Sequence, residues 1–357
     1  MSRHRILDSP KAISRLDSHG MRKALSEFPS QCRDARRLAS VPVLSPAKIQ
    51  QVVVSGMGGS AAGGDLLAAI SRDRLPVPVL VCREYTLPAF VGPGSLVVSV
   101  SYSGTTEETL SSFQHALGLG AVVAAVTAGG TLGELARARG LPLVTLPVGF
   151  MPRTALGYLF FPLLSIMDSV GLSPASMAER DEAIELLARM ADQLGPERQT
   201  GDNAAKELAL ALSRGRIPVV YGGELTATAA YRWNSELEEN AKLPALHGAL
   251  PEMDHNEIVG WGAGEARRLH AIFLRDLEER PAMARRFTET KKLIGRSAGG
   301  IVELWSRGEG RLGRLLSLIY LGAWGSYYLA RLRGVDPWPV PVIDRLKRNI
   351  AKAAATS

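Results

Sequence analysis

Cysteine is scarce in this sequence. Only Cys32 and Cys82 are present, too few for a disulfide framework, and this points to a reducing, cytoplasmic setting. The pair also lacks metal-ligand spacing, so no metal site is expected and the chemistry is read as cofactor-free. Long apolar runs are missing too. Each is short or broken by Gly, Pro or charge, which excludes a membrane span. The opening residues, MSRHRILDSPKAISRLDS, have no apolar core of the kind a secretory signal carries. Aromatic residues make up only 6%, and the arginines are scattered instead of gathered in one basic block. No helix-turn-helix or RNA-recognition signature stands out. The net charge of +7 is therefore read as that of a mildly basic protein with a small anionic partner, not as a nucleic-acid footprint.

What is present is an α/β pattern long enough for two domains, with 357 residues of which 46% are hydrophobic. Residues 8–38 carry apolar positions at near-helical spacing, with Pro29 as a break, and read as a cover helix. Strands are predicted at 51–55, 77–82, 97–100, 122–126 and 143–146, with helical patterns between them. An apolar helix follows at 158–170, and then a polar helical crossover over 171–200. A second α/β pattern has strands at 217–221, 270–274 and 301–305 and closes with a buried helix over 312–332. The expected architecture is two αβα sandwich domains, each with a mainly parallel, doubly wound sheet. Their bounds are 1–170 and 201–357, and the second reads as a copy of the first.

Ligands of such sheets sit beyond the carboxyl ends of the strands, so the strand-end loops deserve the closest reading. The stretch 97–109, VVSVSYSGTTEET, is a β-branched run breaking into a hydroxyl-rich loop and then a helix start with two glutamates. Unpaired backbone N–H groups and the helix dipole favour an anion there, and Ser101, Ser103 and Thr106 add neutral donors. No lysine lies in the loop, so it is not a Walker P-loop. The alternative is an ordinary β-to-helix turn capped by Ser and Thr. Earlier, Gly56-Met57-Gly58-Gly59-Ser60-Ala61 follows the first strand and brings Gly59 and Ser60 to the same edge. It also satisfies the loose dinucleotide fingerprint, with Glu84 offered as the acidic partner.

Arg153, just before the 158–170 helix, has a planar fork that suits oxyanions, although a surface arginine is the commoner outcome at such a place. The densest chemistry lies in 231–255. Residues 232–243, RWNSELEENAKL, form a predicted helix whose charge run ordinarily marks a solvated face. His255 stands beside Asp254, Asn256 and Glu257, ahead of a strand-like segment, with polar neighbours able to fix its tautomer. The second half repeats a glycine turn at Gly222-Gly223-Glu224, read as a degenerate anion loop.

Together these stretches resemble the bifunctional phosphoglucose/phosphomannose isomerases of the sugar isomerase (SIS) superfamily. The resemblance runs through FPSQ at Phe28, GMGGSAAGGD, EYTLP, SYSGTTEET, PRTALG, ELEENAK, PEMDHNEIVGW and GVDPWPVPVIDRLK, in the family's order. It implies two SIS domains and a homodimer. It also implies reversible isomerisation of glucose 6-phosphate or mannose 6-phosphate with fructose 6-phosphate. By that resemblance Gly59, Ser60, Ser101, Ser103 and Thr106 hold the phosphate, and Arg153 lies near the reacting carbons. Glu239 is the base, His255 opens the ring and can come from the partner subunit, and Lys347 assists ring opening or positioning. The chemistry asks for such a set: a carboxylate to move the proton, a guanidinium for the enediolate, and an imidazole for the ring. Two departures are visible. Thr105 stands where many relatives have Asn, and Trp338 where many have Thr, which implies a change in epimer choice. Two rivals stay open: a non-catalytic SIS sensor of sugar phosphates, and a nicotinamide enzyme reading the Gly56 turn as a dinucleotide loop.

Overall fold

The computed structural model describes residues 3–38 and 49–354. The first half begins with four short helices, α1 (Arg3–Leu7), α2 (Pro10–Ser14), α3 (Met21–Ser26) and α4 (Phe28–Leu38). The single cover helix expected from the spacing is thus broken. The Asp17 carboxylate accepts the N–H groups of Met21 and Arg22, and Gly20 sits at φ 73, so the chain stops and restarts there. Pro29 does not break the helix. It lies in the first turn of α4, where a missing N–H costs nothing.

Then follow β1 (Gln51–Ser55), α5 (Gly58–Ser71), β2 (Val79–Cys82), β3 (Ser95–Val100), α6 (Glu107–Gly118), β4 (Val122–Thr127), α7 (Gly130–Ala138) and β5 (Leu143–Thr145). All pairings are parallel, in the order β2-β1-β3-β4-β5. β3 lies inside this sheet and every one of its residues is buried, which explains its unbroken apolar reading. Helices α8 (Leu156–Ser169) and α9 (Met177–Leu194) lead to the second half.

There α10 (Ala204–Leu212) precedes β6 (Ile217–Gly223), α11 (Thr226–Ala241), β7 (Leu246–Leu250), β8 (Leu269–Arg275), α12 (Pro281–Ile294) and β9 (Gly300–Trp305). The order β7-β6-β8-β9, again all parallel, repeats the first four strands of the other sheet. In both sheets the chain reverses direction of winding between the first strand and the third, at β1/β3 and at β6/β8. Such a switch point opens a crevice at the strands' carboxyl ends.

α13 (Arg311–Arg333) is apolar nearly all round and buried along most of its length. It packs on α9, α10 and α11, and one apolar cluster runs through it from α4, α5 and α8 of the first half into α10 and α11 of the second. The chain ends on α14 (Pro341–Ala354), which the sequence reading left unassigned. One further expectation is corrected. The strand lies before His255, at β7, and not after it. Residues Glu252–His255 and Glu257–Gly262 are 3-10 turns, in a stretch broken by Gly260 and Gly262.

Candidate active site

Two loops meet at the β1/β3 crevice. Ser60, in the first turn of α5, accepts the N–H of Tyr102 on its Oγ at 3.1 Å, which ties the loop after β1 to the loop after β3. Ser101 Oγ lies 2.9 Å from Thr106 Oγ1 and accepts the N–H of Gly104 at 3.1 Å. Ser103 Oγ accepts the N–H and hydroxyl of Thr105. Gly104 is required here. It sits at φ 70, and a Cβ on it would fall 1.8 Å from the carbonyl oxygen of Gly129. Gly59, Ser60, Ser101, Ser103 and Thr106 are thus brought to one edge. Among the described residues no charged side chain pairs with them, and the N-terminus of α6 lies at the same edge.

Gly59 also links this edge to Arg153. A Cβ on Gly59 would lie 2.8 Å from the Arg153 nitrogen, so the backbone of the Pro152–Thr154 turn packs directly on it. Gln31 of α4 brackets that turn, donating to Thr154 O at 2.9 Å and accepting from Gly157 N–H at 2.8 Å. This gives the Gln of the FPSQ stretch a physical purpose.

Arg153 is not a surface arginine. It is 6% exposed, and its guanidinium reaches across to the second half. Nε–H donates to Asn240 Oδ1 at 2.8 Å and Nη1 donates to Glu239 Oε2 at 3.3 Å. Nη2 donates to the carbonyls of Pro337 and Trp338. Burial lowers the Arg153 pKa and the charge of Glu239 opposes that. Glu239 itself is half-buried, with a side chain 28% exposed.

The charge run of α11 likewise departs from a solvated face. Arg232, Glu236 and Asn240 are buried. Arg232 donates to Arg153 O at 2.7 Å and pairs with Glu236 at 2.8 Å. Burial raises the Glu236 pKa, and Glu239's charge adds to the rise while Arg232 opposes it. These residues were missed by sequence reasoning. The available signal was their spacing with Glu239 at i, i+4, i+7 and i+8, which puts all four on one helical stripe. A small cleft between α5 and α11, lined by Gly58, Gly59, Asp65, Tyr231 and Glu239, joins the two edges.

His255 and Lys347 are not brought into this group. Both are exposed, and among the described residues neither side chain makes a hydrogen bond or ion pair. The loop bearing His255 is nonetheless held firmly. Asp254 accepts from Thr290 at 2.6 Å and from Arg286 at 3.1 Å, and Glu257 accepts the Tyr221 hydroxyl at 3.0 Å. Lys347 lies on α14, whose Val342, Leu346 and Ile350 are exposed. The segment leading to α14 is fastened by Arg153, by Asp336 accepting Ser18 N–H, and by Trp338 stacked on His19 with ring centroids 5.5 Å apart. Among the described residues no cluster of His, Cys, Asp and Glu stands together as a metal site, and no helix is long and apolar enough to cross a membrane.

The chain is similar to known proteins along most of its length. The chain is 41% identical over 307 residues to the bifunctional phosphoglucose/phosphomannose isomerase of Caldicellulosiruptor bescii, covering 85% of this chain and 90% of that one. The chain belongs to the bifunctional phosphoglucose/phosphomannose isomerase family. The relative of the same name from Aquifex aeolicus is 36% identical, over 85% of this chain and 91% of its own. The family described as bacterial phospho-glucose isomerase C-terminal SIS domain matches residues 201–350. A more distant relative, a D-glucosamine-6-phosphate 4-epimerase of Sulfolobus acidocaldarius, is 32% identical over 63% of this chain and 68% of its own. Among solved structures, a hypothetical protein of Thermus thermophilus superimposes with a TM-score of 0.74 at 18% identity, covering 99% of this chain and 94% of that one. That likeness supports the two-sheet α/β fold.

Proposed function

We propose that this chain interconverts fructose 6-phosphate with glucose 6-phosphate, mannose 6-phosphate or both, by moving a proton between C1 and C2 through an enediolate. The observation that carries this reading is that Arg153 joins two functional edges. Its backbone packs on Gly59 beside the hydroxyl loops, and its side chain touches Glu239. A substrate whose phosphate is held by Ser60, Ser101, Ser103 and Thr106 lies with its reacting end toward that pair. Glu239 then removes the proton and returns it to the neighbouring carbon. Four of the five N–H groups of Arg153 are committed to protein acceptors, and the one left on Nη1 is free for the enediolate oxygen.

Ring opening falls to His255, with Lys347 assisting. Both are exposed on this protomer, and the apolar side chains of α14 have no cover, which supports a homodimer in which a partner contributes one or both. The paucity of cysteine supports a cytoplasmic setting. Trp338 lies in the segment whose carbonyls Arg153 holds, so its ring is the residue to vary when epimer choice is tested.

The test is a coupled assay on purified protein, with fructose 6-phosphate as substrate and chelator present. Formation of glucose 6-phosphate and mannose 6-phosphate is followed in parallel. Production of either aldose phosphate supports the reading. Calorimetric binding of fructose 6-phosphate without any turnover replaces it with the sensor reading.

A further inference from the structure

We propose that Asn240 is a positioning residue for Arg153, and that its amide, anchored by Ser326, fixes the direction in which the guanidinium presents its one uncommitted N–H. This rests on the reading of Arg153 and Glu239 given above. A guanidinium is planar and donates only. Its Nε–H is the donor closest to the stem, so the partner of Nε sets the plane and leaves Nη1 and Nη2 pointing in determined directions. That partner is Asn240 Oδ1, at 2.8 Å.

The amide has a single possible orientation. Arg153 cannot accept, so Oδ1 must face Nε, and Nδ2 must face Ser326 Oγ, which lies 2.9 Å away. Ser326 therefore turns its hydroxyl proton to the carbonyl of Ala323, at 2.9 Å. The chain of donors runs from Arg153 through Asn240 and Ser326 to the backbone of α13, with the direction of each bond assigned. Asn240 and Ser326 are both 1% exposed, so water does not substitute for any link. If packing alone were served, apolar residues at the two positions would do as well without the cost of burying an amide and a hydroxyl. The relay ends instead on the group that touches Glu239.

Two variants test the proposal alongside wild type and Glu239→Gln. Asn240→Asp keeps an acceptor for Nε, loses the donor to Ser326, and sets a second carboxylate against the same guanidinium. The expected result is a kcat about tenfold lower, with KM for fructose 6-phosphate within about twofold. The acidic limb of kcat/KM should also move up by about one pH unit, because Glu239 then shares its counter-charge. Ser326→Ala leaves the acceptor in place and frees the amide to turn. It should lower kcat about threefold to tenfold without moving that limb. Thermal melts report the folded fraction, and Ser326→Ala carries the test if Asn240→Asp does not fold. Wild-type kcat and pH profile in the variants overturn the proposal, as does a loss of activity no greater than the loss of folded protein. Full turnover by Glu239→Gln overturns the underlying reading, and the proposal falls with it.

Discussion

The two halves of the molecule share a topology and differ at the strand ends. At β1/β3 the bridge is Ser60, whose Oγ accepts a backbone N–H and keeps its own proton free. At β6/β8 the matching bridge is Thr226. Its Oγ1 accepts the N–H of Gly223 at 2.9 Å and donates to Leu274 O at 2.7 Å, so the hydroxyl is spent. The loop after β3 holds only hydroxyls. The end of β8 and the loop after it hold Arg275 and Asp276, which are neutralised internally by Glu279, Glu303 and Arg314. These ion pairs tie up the charged groups at that end of the second sheet within the protein. On the proposed reading the anion site lies in the first half, and α11, the counterpart of α5, carries the carboxylates and Asn240 instead.

On the proposed reading the largest test of this division is Glu239→Gln. It should lower kcat by about a thousandfold while calorimetry still detects fructose 6-phosphate, because the anion loops lie in the other half. If binding is lost together with turnover, the separation of anchor from chemistry breaks. Arg153→Lys comes next. A point charge cannot serve Asn240, Glu239 and two carbonyls at once, so steady-state kinetics should show a kcat about a hundredfold lower.

The sharpest comparison pairs Ser101→Ala with Thr226→Ala. The first should raise KM about fivefold to tenfold, since a phosphate contact is removed, and cost about 1 kcal/mol because the Gly104 N–H and the Thr106 hydroxyl lose a partner. The second should leave KM unchanged and cost about 1–2 kcal/mol in chemical denaturation, because a buried carbonyl and N–H lose their partner. A KM effect from Thr226→Ala would mean that the second crevice binds anions after all.

The smallest effect concerns acid. His270 is buried on β8 with neither ring nitrogen partnered. Burial, and then the charges of Arg216 and Arg214, lower its pKa from 6.5 to about 4. The stability this group contributes is fully present above 6.5 and is lost as pH falls through about 4. His270→Phe should flatten the dependence of Tm on pH across that window, leaving the melting temperature near neutrality close to wild type.

Much of this architecture was readable from residue order. The β-branched runs, the glycine turns and the hydroxyl loop marked the strands and the edge where Ser60, Ser101 and Thr106 meet. Periodicity marked α13 as buried. Other features were not readable, for identifiable reasons. β7 is an edge strand with a glycine inside it, so its alternation is weak. α14 is strongly amphipathic but follows a Pro-rich stretch, and the absence of any cover on its apolar face is invisible in one chain. Residue type alone made Arg153 a surface cation and α11 a solvated face. Both assignments failed because burial joined these groups across the chain, with Arg153 and Asn240 separated by 87 positions and Arg232 reaching Arg153 O over 79.

The sequence by itself determined where strands end and which loops are rich in donors, since φ preference, hydroxyl content and apolar spacing are local properties. Only the tertiary structure decided which of those loops stays open and which closes on its own ion pairs. Only it decided, too, that one arginine from the first half is aimed by one face of a helix from the second. Those outcomes depend on burial, which turns a charge from a solvated group into one that must be paired and hydrogen-bonded, and burial is settled by packing across the whole chain.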